Sequence, residues 1–144
     1  MRAAVGDAIP SWTMERVSPE RMRTVAAILR DPNPLHWDRA AAAALGFGER
    51  TVNQSPLNLG YVANMLMAWA GPASIRRLRV TFPLPVFEGD RVRASGEVMA
   101  ISDAGGRQLA DCRVWLDHQD GSRAVEGTAV VELPAGDEET GRAD

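Results

Sequence analysis

A long apolar segment between two proline-containing signals limits the fold of this chain more than any other feature. Ser55-Pro56 is typical of a helix start, and Gly71-Pro72 stops the helix. The segment between them carries apolar side chains on every side: Leu57, Tyr61, Met65, Ala68 and Trp69 on one, and Leu59, Val62, Leu66 and Met67 on the others. A helix this apolar all round is buried, so we predict a central helix of about four turns from Ser55 to Trp69.

After Pro72 the apolar residues recur at every second position, which predicts strands. Turn residues separate the apolar runs: Glu88-Gly89-Asp90, the segment 103–106 and Asp120-Gly121. The predicted strands are 75–82, 91–102, 107–118 and 124–133, with a short one at 9–14. The chain is therefore expected to be α+β, with the central helix against a curled antiparallel sheet of four or five strands. One sheet does not cover such a helix fully, so the sheet wraps it or a second subunit covers the rest.

The first half of the chain predicts two shorter helices joined by a stiff loop. Ser18-Pro19 starts a helix over 19–29, and Asp38 is placed to cap an alanine-rich helix over 39–45 that Gly46 closes. Between them the prolines of the segment 31–38 fix the backbone and exclude helix before each of them. We call residues 31–38 the knuckle. It carries the carboxylate of Asp31 and the imidazole of His36 five positions apart.

Composition narrows the function classes. The 144 residues are expected to form one domain, 1–133, followed by a polar, acidic tail, 134–144, that is expected to be disordered. With a net charge of −3 and no lysine, the chain is a poor candidate for nucleic-acid binding and lacks a Schiff-base or phosphate-loop lysine. Its one cysteine predicts a reducing cytoplasm, and Cys112, His36 and His118 form no zinc pattern. No apolar run approaches membrane-spanning length, and no signal-peptide pattern is present.

The knuckle carries a family resemblance. Asp31-Pro32-Asn33-Pro34-Leu35-His36-Trp37-Asp38, followed by alanines and Gly46-Phe47, resembles the motif of the MaoC-like, R-specific enoyl-CoA hydratases. The segment 82–86 with Gly89-Asp90 is similar to that family's strand-turn-strand element, a weaker match. The resemblance spans about residues 5–133 in layout. It implies the hot dog fold, a long helix wrapped by an antiparallel sheet, paired with an identical or a different hot dog chain.

The resemblance implies a site and a reaction. Asp31 and His36 would form an acid–base pair that adds water to a trans-2-enoyl thioester of coenzyme A or acyl carrier protein, with no metal or cofactor. A backbone amide of Gln54 or Ser55 would bind the thioester oxygen at the helix start. Asn33 would be a turn residue that positions the pair. Asn53 is included among the positioning residues, and Tyr61, Met65 and Trp69 are candidates for the acyl pocket or equally for the core.

The chain departs from the family at Asn53-Gln54, where the family often has His-Gly. Glycine is used where backbone approaches a ligand closely, so Gln54 is expected to narrow or reshape the site. The sequence around Val52-Asn53 and the helix end Ala68–Pro72 resembles family members acting on bulky, steroid-like acyl-CoAs. Two alternatives stay open: a non-catalytic acyl-binding subunit of a heteromeric hydratase, and a hot dog thioesterase.

Other residues with functional chemistry receive simpler interpretations. His118 lies beside the Asp120-Gly121 turn and is expected on the solvated surface, while Cys112 is expected in the core. Arg76, Arg77 and Arg79 match phosphate geometry, but a solvated strand edge is the better interpretation. The serines lack the turn context of a serine hydrolase.

Overall fold

The computed structural model describes residues 3–135 and consists of one curled sheet around one long helix. The strands are β1 (Ala8–Met14), β2 (Ile75–Thr81), β3 (Val92–Asp103), β4 (Gln108–His118) and β5 (Arg123–Glu132). The helices are α1 (Pro19–Leu29), α2 (Arg39–Ala44) and α3 (Ser55–Ala70), with a 3₁₀ turn at Pro34–His36. The predicted α+β architecture is confirmed, and the sheet has five strands.

All strand pairs are antiparallel, in the order β1-β3-β4-β5-β2. The three hairpin-linked strands β3, β4 and β5 form the middle, and β2 returns to pair with β5 at one edge. Helix α3 lies against all five strands. Val62, Met65 and Leu66 of α3 are buried. Leu59 and Met67 are only partly buried, so the sheet of the same chain covers one side of the helix and not its whole apolar surface.

Two glycines let the backbone pack closely where the sheet curls. A Cβ atom at Gly96 of β3 would lie 2.9 Å from Ile9 Cδ1 and 3.3 Å from Met65 Cε of α3. At Gly127 of β5, a Cβ atom would overlap the backbone of Arg79 in β2. A side chain at either position would push neighbouring elements apart, so these glycines set how tightly the sheet wraps α3.

Helix boundaries follow the predicted signals. Ser18 caps α1, accepting a hydrogen bond from the Arg21 amide, and Pro19 occupies the first turn. Helix α2 ends one residue earlier than predicted because Leu45 is its C-cap, and α3 extends one residue further, to Ala70.

Cys112 lies in the core as predicted, where burial raises the pKa of its thiol to about 11. The predicted disordered tail is 134–144, of which residues 136–144 lie outside the described residues. Within residues 3–135, no helix has the length and hydropathy needed to cross a membrane.

Candidate active site

The residue just before the knuckle has an unusual backbone conformation. Arg30, just after α1, has a φ of 52° and is the non-glycine residue of positive φ among residues 3–135. This left-handed residue turns the chain so that the Asp31 amide donates to the Ala26 carbonyl at 2.9 Å. This hydrogen bond fixes the backbone of Asp31 against the end of α1, and thereby the point from which its carboxylate extends.

Side chains of the knuckle stabilise its turns from within. Asp31 Oδ1 accepts from the Asn33 amide at 2.9 Å, and Asn33 Oδ1 accepts from the Leu35 amide at 3.3 Å as the N-cap of the 3₁₀ turn. Asp38 caps α2 by accepting from the amides of Ala40 and Ala41, as predicted. Asn33 is therefore placed to shape the loop and not to project into open space.

The fold brings Asp31 and His36 together at the protein surface. His36 Nε2 lies 3.4 Å from Asp31 Oδ2, and the two side chains are 14% and 26% exposed. The other ring nitrogen, Nδ1, lies 2.7 Å from the Val52 carbonyl oxygen. Because a carbonyl only accepts, Nδ1 carries a proton, and a neutral His36 keeps its lone pair on Nε2.

This arrangement leaves two acceptors facing each other. The Nε2 lone pair of a neutral His36 and the Asp31 carboxylate cannot hydrogen-bond directly, but both can accept from one water molecule. Such a water would be oriented by Asp31 and deprotonated by His36, which is general-base geometry. If His36 takes that proton, the pair becomes an ion pair at the same separation.

The short segment 51–54, which we call the frame segment, contacts His36 and the knuckle backbone. The Val52 amide donates to the Leu35 carbonyl at 3.0 Å, while its own carbonyl accepts from His36. The Asn53 amide donates to Val86 at 2.7 Å, and Val52 forms a β-bridge with Phe87. The imidazole is thus oriented by backbone held on both sides.

Asn53 anchors the frame segment to helix α3. Its Nδ2 atom donates to Asn58 Oδ1 at 2.7 Å and to the Tyr61 hydroxyl at 3.3 Å. Tyr61 stacks on Trp12 with ring centroids 5.6 Å apart, and its pKa is raised by burial, which outweighs the hydrogen bond from Asn53. Asn53 Oδ1 is buried without a hydrogen-bond partner among the described residues.

Gln54 is the N-cap of α3, but its side chain does not cap that helix. It is 1% exposed, and Nε2 donates to the Met22 carbonyl of α1 at 2.9 Å. Within residues 3–135, the backbone amides of Gln54 and Ser55 donate to no protein group. These two backbone amides at the positive end of α3 are therefore free hydrogen-bond donors, and they lie within three residues of Val52, which orients His36.

The three candidates for the acyl pocket belong to the packed interior of this chain. Tyr61 is 6% exposed, Met65 is fully buried, and Trp69 packs partly buried against the same core. Met65 faces Gly96 of the sheet. A role of these residues in binding an acyl chain stays a prediction.

The turn after β2 ties the two sides of the site together. Glu88 accepts from Arg39 of α2 at 2.7 Å and from the Thr51 hydroxyl at 3.1 Å. Burial would raise the pKa of Glu88, but these two hydrogen bonds and the Arg39 charge outweigh it and hold the pKa below its usual value. This contact fixes α2 against the frame segment, a link that residues so far apart in sequence did not reveal.

The expectation that His118 lies on the solvated surface is wrong. Its side chain is 11% exposed, and Nδ1 lies 3.5 Å from Asp90 Oδ2. Asp90 also accepts from Arg50 at 2.7 Å and from the Phe87 amide at 2.9 Å. His118 ends β4, and this end of the strand abuts the turn 87–90 from a different part of the chain.

The arginines of β2 lie on an exposed sheet edge away from the knuckle. Arg76 pairs with Glu132 at 2.6 Å, and Arg77 and Arg79 point to solvent. The surface beside Asp31 instead holds a groove of about 480 Å³ lined by Arg23, Arg30 and Trp37. No group of three or more His, Cys, Asp or Glu side chains in residues 3–135 is arranged to hold a metal ion.

Comparison with known proteins gives matches over most of the chain. Residues 4–118 match the family model of the MaoC like domain. The (R)-specific enoyl-CoA hydratase of Aeromonas caviae is 35% identical over 122 residues, which cover 83% of this chain and 89% of that enzyme.

Two solved structures extend the agreement to three dimensions. The A. caviae (R)-hydratase involved in PHA biosynthesis superposes with a TM-score of 0.80 at 34% identity, covering 92% of this chain and 98% of that one. A chain of the ChsH1-ChsH2 complex from Mycobacterium tuberculosis superposes with a TM-score of 0.78 at 25% identity, covering 92% and 100%.

Proposed function

We propose, from the premise that this chain belongs to the MaoC-like domain family and has its hot dog fold, that it adds water to a trans-2-enoyl thioester to give an (R)-3-hydroxyacyl thioester. The observation that carries the proposal is the orientation of His36, whose Nδ1 atom is committed to Val52 and whose Nε2 lone pair faces Asp31. The family relationship supports a hydratase or dehydratase.

The reaction follows from this geometry. His36 Nε2 takes a proton from a water molecule that Asp31 orients, and the water oxygen forms a bond to the β-carbon. The electrons of the double bond move toward the thioester oxygen, where the free amide of Gln54 or Ser55 stabilises the developing negative charge. The proton taken from water is returned through the pair to the α-carbon, so the pair ends in its starting protonation state.

The chemistry is complete with the residues present. Hydration transfers no electrons, the pair supplies both acid and base, and the α3 amides supply the oxyanion donors. We therefore propose that turnover needs no metal and no prosthetic group, and that coenzyme A or acyl carrier protein enters as part of the substrate. A cytoplasmic location, expected from the single cysteine, stays a prediction.

An assay of the purified chain tests the proposal. Short linear, long linear and polycyclic enoyl-CoA thioesters are incubated with the protein, and loss of the conjugated enoyl thioester and the configuration of the hydroxyl product are measured. The proposal expects R-configured product with at least one thioester. Release of free thiol without a hydroxyacyl thioester would instead establish a thioesterase.

The same panel tests the substrate class. The resemblance of Val52-Asn53 and of the α3 end to family members acting on steroid-like acyl-CoAs leads us to propose a bulky acyl group. The polycyclic thioester should then be turned over with the highest kcat/KM. Comparable turnover of short linear and polycyclic thioesters would contradict this part of the proposal.

A heteromeric arrangement is the second candidate, favoured by the likeness to a chain of the ChsH1-ChsH2 complex. In that case this chain completes a site with a different hot dog chain, and not with a copy of itself. The purified chain alone would then show no turnover, and adding the partner chain would restore it. Native mass spectrometry of the active species distinguishes a homodimer from a heteromer.

A further inference from the structure

The side chain of Gln54 joins two elements that each carry part of the candidate site. Asp31 follows directly on the C-cap of helix α1. Helix α3 begins with the amides proposed to bind the thioester oxygen. The hydrogen bond from Gln54 Nε2 to the Met22 carbonyl spans these two helices at 2.9 Å. A carbonyl oxygen has two lone pairs, so Met22 can accept it without giving up its helical hydrogen bond.

This hydrogen bond is well protected and locally placed. Gln54 is 1% exposed and Met22 is fully buried, so water does not compete for the contact. The Met22 carbonyl lies one helical turn before Ala26, whose carbonyl accepts from the Asp31 amide. Anything that fixes this part of α1 therefore fixes the start of the knuckle.

The frame segment, to which Gln54 belongs, also orients His36, the other member of the catalytic pair. His36 is oriented by the Val52 carbonyl, two residues before Gln54, and Asn53 between them is bonded to Val86, Asn58 and Tyr61. The segment therefore contacts His36 through its backbone and the Asp31-bearing helix through the Gln54 side chain. Both members of the pair are therefore linked to this one segment.

We propose that Gln54 is a positioning residue, whose hydrogen bond to Met22 sets the position of Asp31 relative to His36 and to the α3 amides. The inference rests on the proposed hydration function. It also explains how the chain accepts Gln where its relatives often have Gly. The Gln54 backbone has ordinary extended angles, φ −63° and ψ 140°, so it does not need glycine. Its side chain lies between α1 and α3, where it is hydrogen-bonded to Met22.

The test compares Gln54→Met with the wild type. Methionine has a similar length and volume but cannot donate to Met22. It also removes Gln54 Oε1, a buried oxygen without a hydrogen-bond partner among the described residues, so the variant is expected to fold. The kcat for enoyl thioester hydration should fall about 10- to 100-fold, the scale expected when a catalytic group is displaced by about 1 Å. The KM should stay within about twofold, because substrate binding groups are unchanged.

A readout independent of activity accompanies the kinetics. Hydrogen exchange of peptides covering residues 22–31 should be faster in Gln54→Met, with the α3 peptides unchanged. Val98→Ala, a core truncation on β3, serves as the control for lost stability, since Val98 is buried and belongs to a strand that carries none of the proposed site residues. It should lower Tm at least as much as Gln54→Met while leaving kcat near the wild-type value.

Three results would overturn the proposal. A kcat of Gln54→Met within about twofold of the wild type would show that the hydrogen bond does not position the pair. Unchanged exchange in residues 22–31 would show that it does not hold α1. An equal loss of kcat in Val98→Ala would assign the effect to stability. If the wild type hydrates no enoyl thioester, the proposed function fails, and the exchange result alone still decides whether Gln54 holds the Asp31-bearing helix.

Discussion

Two aspartate–histidine pairs stand in this fold at nearly the same separation. Asp31 and His36 are 3.4 Å apart in the knuckle, and Asp90 and His118 are 3.5 Å apart where β4 meets the turn 87–90. Distance alone would rank them equally as acid–base pairs. Their surroundings divide them.

The Asp90 carboxylate is already fully engaged. One oxygen accepts from Arg50, the other from the Phe87 amide, and the side chain is 6% exposed. Among residues 3–135, Asp31 accepts only from the Asn33 amide, through Oδ1, so Oδ2 is available to act with His36, and the side chain is 26% exposed. A carboxylate that must orient water needs an unused acceptor and access to solvent. Asp31 has both, and Asp90 holds a turn in place.

The largest difference between the pairs should appear on removing the charge of each aspartate. Asp31→Asn keeps the shape of the turn but weakens the orientation of water and the stabilisation of protonated His36. We expect its turnover of an enoyl thioester to fall about 10²- to 10⁴-fold. Asp90→Asn should retain turnover close to the wild type. Circular dichroism of both variants checks that the fold is kept. Wild-type turnover by Asp31→Asn would contradict a catalytic role for Asp31.

Truncation to alanine should reverse the order when stability is measured. Asp90→Ala leaves the partly buried Phe87 amide without its acceptor and releases Arg50, so we expect a loss of about 2–3 kcal/mol in the free energy of unfolding. Asp31→Ala removes one exposed turn contact and should cost about 1 kcal/mol or less. Urea denaturation of the two variants gives the comparison. Equal losses would show that both pairs are structural.

Acid should weaken the turn through Glu88, the neighbour of Asp90. The pKa of Glu88 is lowered in the folded protein, so its contribution to stability is complete above the ordinary carboxylate value of 4.5 and is lost as the pH falls through the lowered value. In Glu88→Gln the group no longer titrates. The Tm of the wild type should therefore decrease more steeply below pH 4.5 than that of Glu88→Gln, and parallel curves would contradict this assignment.

The smallest effect is expected at His118. Replacing it by Gln keeps a polar side chain beside Asp90, whose other hydrogen bonds remain. The free energy of unfolding should change by about 0.5–1 kcal/mol. Thermal unfolding measures the change, and a loss as large as that of Asp90→Ala would mean that His118 is the main support of the turn.

Much of the fold was predictable because its signals are local. Ser18-Pro19 and the apolar run after Ser55-Pro56 marked α1 and α3, and alternating residues marked the strands. The proximity of Asp31 to His36 was predictable for the same reason. The prolines and the Asn33 turn confine both to a short loop.

The supports of the site were not predictable from the sequence because they join residues distant along the chain. Val52, which forms a bridge with Phe87, contacts His36 through its carbonyl, and Gln54 reaches Met22 across 32 positions. The Asp120-Gly121 turn beside His118 predicts a surface position for this histidine. The contact that buries it comes from Asp90, which no local pattern connects to β4.

The most direct test of the difference between the pairs is the kcat/KM of His36→Ala and His118→Ala, measured side by side on the best enoyl thioester of the wild type. His36→Ala removes the proposed base, so its kcat/KM should fall about 10²- to 10⁴-fold, while His118→Ala should stay within a few-fold of the wild type. Equal retention of activity in both variants would contradict the assignment of His36 as the base, and an equal loss would place the chemistry outside the Asp31–His36 pair alone.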